Sequence, residues 1–239
     1  MGKIRNARSD KKITFKPEYP YVIVCEGMDE YSFLIAYLTY LEQNEKEKFV
    51  DCHNVVDFGG INDMNKLLNN IKNLPRYDEM KSFLIVRDAE RDANAAVKSL
   101  QLQIKKTWDI DIDDTGAIQT TDDGVKVGFF LLPGFDEQGH FLNGTLEDLC
   151  WGIIDDSHDS LNDNSLLQFI DKYMCDIAQR RDKPWIWPHK NRLHLYFSST
   201  DEFVGDKLGE AANEGAFDLS SPRLSHLKEM IFQMQGDAP

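Results

Sequence analysis

The sequence predicts an α/β fold, a mostly parallel central sheet flanked by helices with a helical C-terminal extension. Three observations carry that expectation. Between residues 21 and 106 an apolar run is followed by a helical pattern three times over. Each run is short and bounded by turn residues, as buried parallel strands are. Beyond Pro133-Gly134 the strand pattern stops and helical periodicity takes over.

The first unit opens with Tyr21 to Cys25, rich in Val and Ile, and continues with apolar residues at 33, 34, 37, 38 and 41 on one helical face. The second has Cys52 to Phe58 as a weaker strand, a Gly59-Gly60 turn, and Ile61, Met64, Leu67, Leu68 and Ile71 at helical spacing. The third has Phe83 to Val86, then Ala93, Val97, Leu100 and Ile104 in a helix reaching about Lys106. Successive strand–helix units imply right-handed crossovers and helices on both faces of one sheet. Gly116 to Thr120, Asp122-Asp123-Gly124 and Val125 to Leu132 read as a hairpin whose second arm is a core strand. Helices are expected from Thr145 to about Ile154, Leu166 to Gln179, Lys190 to Phe197 and Pro222 to Met234. Without a Pro- or Gly-rich linker, residues 21–235 read as one domain with a helical extension from about 145, preceded by a basic tail over 1–20.

Charge narrows the classes of partner. Lys and Arg number 27 against 41 Asp and Glu, a net charge of -14, so binding of nucleic acid or anionic membrane over the whole surface is disfavoured. Any nucleic-acid contact must be local. The tail, with Lys3, Arg5, Arg8, Lys11, Lys12 and Lys16, is the basic exception and reads as a solvated arm or a phosphate contact. Apolar runs such as Phe33 to Leu38 fall far short of the roughly 18 residues a membrane span needs. Lys3 and Arg5 have no apolar stretch behind them, so a cytoplasmic location is expected. Four cysteines without a Cys-x-x-Cys read as reduced thiols, and His189 and His194 are not at the i, i+4 spacing of helical zinc ligands.

Ligands of open α/β sheets bind beyond the carboxyl ends of the strands, and those positions are acidic here. The first strand runs into Glu26-Gly27-Met28-Asp29 and the third into Arg87-Asp88-Ala89-Glu90-Arg91-Asp92. If the two strands are neighbours, Glu26, Asp88 and Glu90 converge. Clustered carboxylates raise one another's pKa unless a cation neutralises them, and Mg²⁺ or Mn²⁺ is the simplest such cation. A bound metal would invert the local sign and meet phosphates directly. The competing reading makes Glu26 and Asp29 helix N-terminal decoration and Asp88 a cap. Glu147 is a further candidate ligand, while Thr145-x-x-Asp148 is a capping box. Lys190 and Arg192 follow Trp185-Ile186-Trp187-Pro188, either to stabilise charge on a phosphate or as a basic turn beside packed aromatics. The tryptophans stack bases or pack the helical extension, and packing is the preferred role.

At these residues the chain resembles the Toprim superfamily. The resemblance lies in Val22-Ile23-Val24-Cys25-Glu26-Gly27, a hydrophobic strand ending in glutamate, and in the Asp-x-Asp-like Asp88-Ala89-Glu90. In order and spacing it is most similar to a group of small stand-alone Toprim-like proteins, related to the Toprim domain of the overcoming-lysogenisation-defect nucleases. Their recurring elements are matched by Cys25 to Asp29, Pro133-Gly134, Gly144-Thr145-Leu146-Glu147-Asp148 and Leu208 to Asp218, so the resemblance covers about residues 21–235. One position departs: Glu90 stands where the pattern has aspartate and reaches one methylene further, with Asp92 able to take the second role.

The resemblance implies a Toprim-like fold and a metal-dependent nuclease. Glu26 would be base or ligand, Asp88, Glu90, Asp92 and Glu147 metal ligands, and Lys190 the catalytic cation. Nucleic acid, DNA or RNA, is the expected substrate. A catalytically weak metal-binding protein working beside an ATPase is the alternative. The chain has little room for the strand-passage and tyrosine modules of a topoisomerase, and the sequence shows no zinc-binding module of a primase. A homodimer is compatible on the general ground that symmetric pairs are the commonest assemblies.

Overall fold

The structure, a computed structural model, describes residues 18–45, 49, 52–161, 165–181 and 184–236. Residues 1–17 of the basic tail lie outside the described residues.

Five strands form one sheet: β1 (Tyr21–Cys25), β2 (His53–Asp57), β3 (Ser82–Asp88), β4 (Gln119–Thr120) and β5 (Lys126–Leu132). Their order is β2-β1-β3-β5-β4, parallel except for β4, which pairs antiparallel with β5. The three expected strand–helix units are present as β1–α1 (Met28–Glu45), β2–α2 (Ile61–Asn70) and β3–α3 (Ala93–Trp108). The hairpin is also where its turn residues put it. The Thr121 N–H donates to the Val125 carbonyl at 2.9 Å and the Gly124 N–H to the Thr121 carbonyl at 2.9 Å, which closes the β4–β5 turn.

Period-two alternation sorts the strand side chains into two cores. Val22, Val24, Phe83, Ile85, Val127 and Phe129 face α2 and α3, where Leu67, Leu68, Val97, Leu100 and Ile104 are buried. Ile23, Cys25, Leu84, Val86, Phe130 and Leu132 face the other way. That second core is completed by α1 and by the C-terminal helices α4 (Leu146–Leu161), α5 (Ser165–Arg180), α6 (Pro188–Ser198), α7 (Leu208–Asn213) and α8 (Ser225–Gln235). The C-terminal helices therefore supply about half of this second core. Tyr37 on α1 donates to the Leu224 carbonyl and Tyr21 on β1 to the Gln235 carbonyl, both at 3.2 Å, tying the end of the chain to its beginning.

Three elements differ from expectation, and the first is α4, which runs on past Ile154 to Leu161. The helix α7 is short and contains Gly209, a residue that weakens helical pattern. Its glycine has a packing reason: a Cβ there would run into the Ser32 side chain of α1, so the two helices cross at close approach. α1 also extends beyond Leu41 to Glu45, because polar residues continue its exposed face after the apolar stripe ends.

Gly116, three residues before β4, has φ +70, and an added Cβ would meet the Phe129 carbonyl oxygen of β5. That backbone is fixed by the Phe129 N–H donating to the Gly116 carbonyl at 3.1 Å. Gly116→Ala should therefore cost about 2–4 kcal/mol, from left-handed strain plus a clash with backbone that cannot rotate away. Denaturant unfolding of the variant measures it, and a loss under about 0.5 kcal/mol would contradict this packing.

Candidate functional site: a buried carboxylate cluster at the sheet crevice

From β1 the chain goes outward to β2, and from β3 it goes outward to β5, so the crevice between the carboxyl ends of β1 and β3 is the topological switch point. Register then decides which side chains meet there. Cys25 pairs with Val86 and Asp88 with Leu132, so the next residue on β1, Glu26, is level with Arg87. Glu26 Oε2 lies 3.9 Å from Arg87 Nε. Asp88, one residue on, belongs by alternation to the α1 and α4 side of the sheet.

Asp88 is met by the start of α4. The Leu146 N–H donates to Asp88 Oδ1 at 2.9 Å, placing the carboxylate at a helix N-terminus. The residues behind it close the turn: Asp148 Oδ2 accepts from the Thr145 N–H at 2.9 Å and from the Thr145 hydroxyl at 3.1 Å. Capping thus falls to Asp148. Glu147 is released to face inward, 7 % exposed, where Lys190 Nζ of α6 reaches its Oε1 at 3.2 Å. The two readings of this motif are compatible because different residues carry them.

Glu30, in the first turn of α1, is the member that sequence reading passed over. Its carboxylate folds back over the β1–α1 turn, and a Cβ on Gly27 would stand 2.8 Å from Glu30 Oε2. The signal was the four-residue spacing from Glu26, with a glycine between that leaves room for the return.

Burial and mutual repulsion act together on this group. Asp88 is pushed up to about 8, first by burial, then by the charges of Glu30 and Glu147, with the Leu146 N–H opposing and Glu26 adding. Burial likewise pushes Glu30 up to about 7, and Glu147, Asp29 and Glu26 add to it. Glu26 is raised by burial, relieved in part by Arg87, and raised again by Glu90. Lys190 loses some basicity to burial, but Glu147, Asp29 and Glu30 outweigh that and hold its ammonium above the ordinary lysine range.

The other expected residues lie at the edge. Glu90 is exposed in a left-handed turn with φ 59, pinned by a two-way backbone bridge to Gly144 at 2.8 Å in each direction. Its charge bears on Glu26. Asp92 is the N-cap of α3, its Oδ1 accepting from the Ala95 N–H at 2.9 Å, a role sequence reading gave to Asp88. Arg192 turns away, pairing with Asp171 at 3.0 Å and lying over the Trp151 ring. Trp185 packs on α5, its indole N–H donating to the Met174 carbonyl at 3.2 Å, whereas Trp187 is exposed. The charges of Glu26, Glu30 and Glu147 all bear on Asp88, Lys190 pairs with Glu147, and Glu90 acts on Glu26 from the exposed edge. Among the described residues, no three Asp, Glu, His or Cys side chains stand ready-made around a metal ion. No helix of the described residues is long and apolar enough to cross a membrane.

A family model described as a protein of unknown function, DUF3226, matches residues 20–234. The chain belongs to that family. No curated protein and no solved structure matches it.

The raised carboxyl groups fix a sign for pH dependence. In the folded protein Asp88 and Glu30 keep a proton up to about 8 and about 7, while the unfolded chain loses it near 4. Their contribution is fully present below about pH 4 and is lost as pH rises toward those values, because the unfolded state then binds fewer protons. Asp88→Asn keeps the acceptor for Leu146 and removes the titration. Without added metal, its stability relative to wild type should rise between about pH 5 and 8, by on the order of 3 kcal/mol. Parallel pH profiles of the two proteins would sink this account of the cluster.

Proposed function

We propose that the chain is a metal-dependent phosphodiester-processing protein, a Toprim-type nuclease acting on DNA or RNA. The observation that carries the reading is the set of carboxyl groups buried together at the switch point, two of them pushed up to about 7 and about 8. Such a cluster is unfavourable unless something cationic shares it, and in the protein itself Lys190 pairs with Glu147 while Asp88 and Glu30 have only backbone N–H groups against their neighbours' charge.

All the donors are carboxylate oxygens, the chemistry that suits Mg²⁺ or Mn²⁺. With no three side chains poised together among the described residues, the fit is to an ion taking one or two protein carboxylates, with water and substrate phosphate completing the shell. When bound, that ion would supply charge neutralisation and a more acidic water. Asp88 is the best placed ligand, since the α4 N-terminus fixes its Oδ1 and leaves Oδ2 for the crevice. Glu30 and Glu147 line the same space. Glu26, held above the ordinary carboxylate range, accepts the proton of the attacking water at its carboxylate. Lys190 brings a positive charge beside Glu147 to offset charge that develops on the phosphate.

A second reading is favoured by Glu90, which is exposed and tied to Gly144. In that reading the chain is a catalytically weak metal-binding partner of an ATPase.

The test is thermal unfolding of wild type and Asp88→Asn against millimolar Mg²⁺ and Mn²⁺, followed by cleavage of labelled single- and double-stranded DNA and RNA. Metal should raise the wild-type midpoint by several degrees and leave Asp88→Asn unmoved. Cleavage should fall at least about 100-fold in Asp88→Asn. Metal stabilisation without cleavage would select the partner reading. Cleavage that survives Asp88→Asn would remove the crevice from the mechanism.

A further inference from the structure

Asp88 and Arg87 are consecutive on β3 and so leave the sheet on opposite faces. On the Arg87 side, a cavity of about 390 Å³ opens between the end of β3 and the first two turns of α3. Its floor is small and apolar, made by the buried Ala89 and Ala96, and Arg87, Glu90, Arg91, Asp92 and Ser99 stand in its wall with the exposed Ala95 at the rim. Arg87 is 7 % exposed, far more buried than an arginine ordinarily is. Its Nε is occupied, donating to the Asp88 carbonyl at 3.2 Å with Glu26 beyond at 3.9 Å. Its Nη1 is buried with no hydrogen-bond partner among the described residues.

A buried guanidinium donor without an acceptor is costly, and a charged one more so. The planar fork of arginine matches the oxygens of a phosphate and can bind two of them at once. The acidic groups nearby do not supply that acceptor. Asp92 Oδ1 accepts from the Ala95 N–H in the α3 cap, and neither carboxylate, Glu90 or Asp92, is a hydrogen-bond partner of Nη1.

We propose that this cavity is a phosphate subsite, in which Arg87 grips the oxyanion from inside and Arg91 closes over it from the rim. That the phosphate belongs to a nucleic-acid strand rests on the nuclease reading. The phosphate recognition itself does not. The subsite lies across β3 from the carboxylate crevice, so it would hold a phosphate that is not being cut and fix the strand relative to Asp88.

The experiment is titration calorimetry in EDTA, with inorganic phosphate and then the dinucleotides TpT and pTpT as probes. Wild type should bind inorganic phosphate, and one or both dinucleotides should compete for it: pTpT alone marks a terminal phosphate, TpT as well an internal diester. Arg87→Gln should weaken phosphate binding at least about tenfold, and Arg91→Gln by a smaller factor. Since Arg87 is buried and its loss can unsettle the fold, Ala95→Tyr provides a second test: Ala95 is exposed on α3, and a ring there fills the cavity with Arg87 intact. It too should abolish binding. Because the titration is run in EDTA, phosphate binding there is separate from any metal in the carboxylate crevice. Wild type that binds no phosphate, or binding that survives both Arg87→Gln and Ala95→Tyr, overturns the proposal. Phosphate binding with no metal response or cleavage would retain the subsite and discard the nuclease.

Discussion

The molecule is organised around the burial of like charges at one end of its sheet. Removing a carboxylate from water costs several kcal/mol unless hydrogen bonds or counter-charges replace the solvent, and here the charges of Glu26, Glu30 and Glu147 all bear on Asp88 at the strand end. Each has a different compensation. Glu26 has Arg87 beside it, Asp88 has the first N–H of α4, and Glu147 has Lys190. Glu30 has the least, and its raised pKa reflects that. A fold selected for stability would place apolar side chains here, as it does along the rest of β1 and β3, where Val22 to Val24 and Phe83 to Ile85 are fully buried.

Two of the compensating groups, the Leu146 N–H and Lys190, come from the C-terminal half, which is therefore no passive appendage. Lys190 rides on α6, whose Leu193 and Phe197 are anchored in the core shared with α1 and α4. α4 in turn is aimed at Asp88 because Gly144, at φ +141, turns the chain sharply before Thr145 and bridges to Glu90. That bridge links the two loops over the crevice. Glu90 thereby serves as backbone scaffold, and its place in an Asp-x-Glu pattern gives no hint of this, since the bridge uses its N–H and carbonyl, not its carboxylate.

Much of the architecture was legible in the sequence because buried parallel strands and amphipathic helices have distinct periods. The runs at 21–25 and 83–86 could hardly be anything else, and their acidic successors lie at the carboxyl end of the sheet, where ligands of open α/β sheets bind. What was not legible depends on three-dimensional register. Whether Glu26 stands level with Arg87 or Asp88 is a one-residue question that no spacing in the sequence answers, yet it decides which face each charge takes. Glu30 went unseen because an acidic residue in a first helical turn has an ordinary explanation in the helix dipole. Asp92 drew attention as a ligand for its position in an acidic run, whereas the short side chain three residues before Ala95 suits an N-cap. α7 was hidden by Gly209, whose value lies in contact with α1 across the fold and not in its own helix.

The end of β3 divides its labour by alternation. Asp88 goes to the crevice of carboxylates and helix N-termini, and Arg87 goes to the other face, where the guanidinium lies under Ala89 and α3. Two adjacent residues of opposite charge therefore mark two faces of one strand end. Arg87 Nε still bonds the Asp88 carbonyl, so the two are joined through the main chain as well as through Glu26. Any ligand that draws the guanidinium toward the cavity pulls it from Glu26, and Arg87 is the group that holds the pKa of that carboxyl down. Loading the cavity should then raise the proton affinity of Glu26, and loading the crevice with a cation should lower it. Glu26, in contact with Arg87 and bearing on Asp88, is the carboxylate that stands between the two faces.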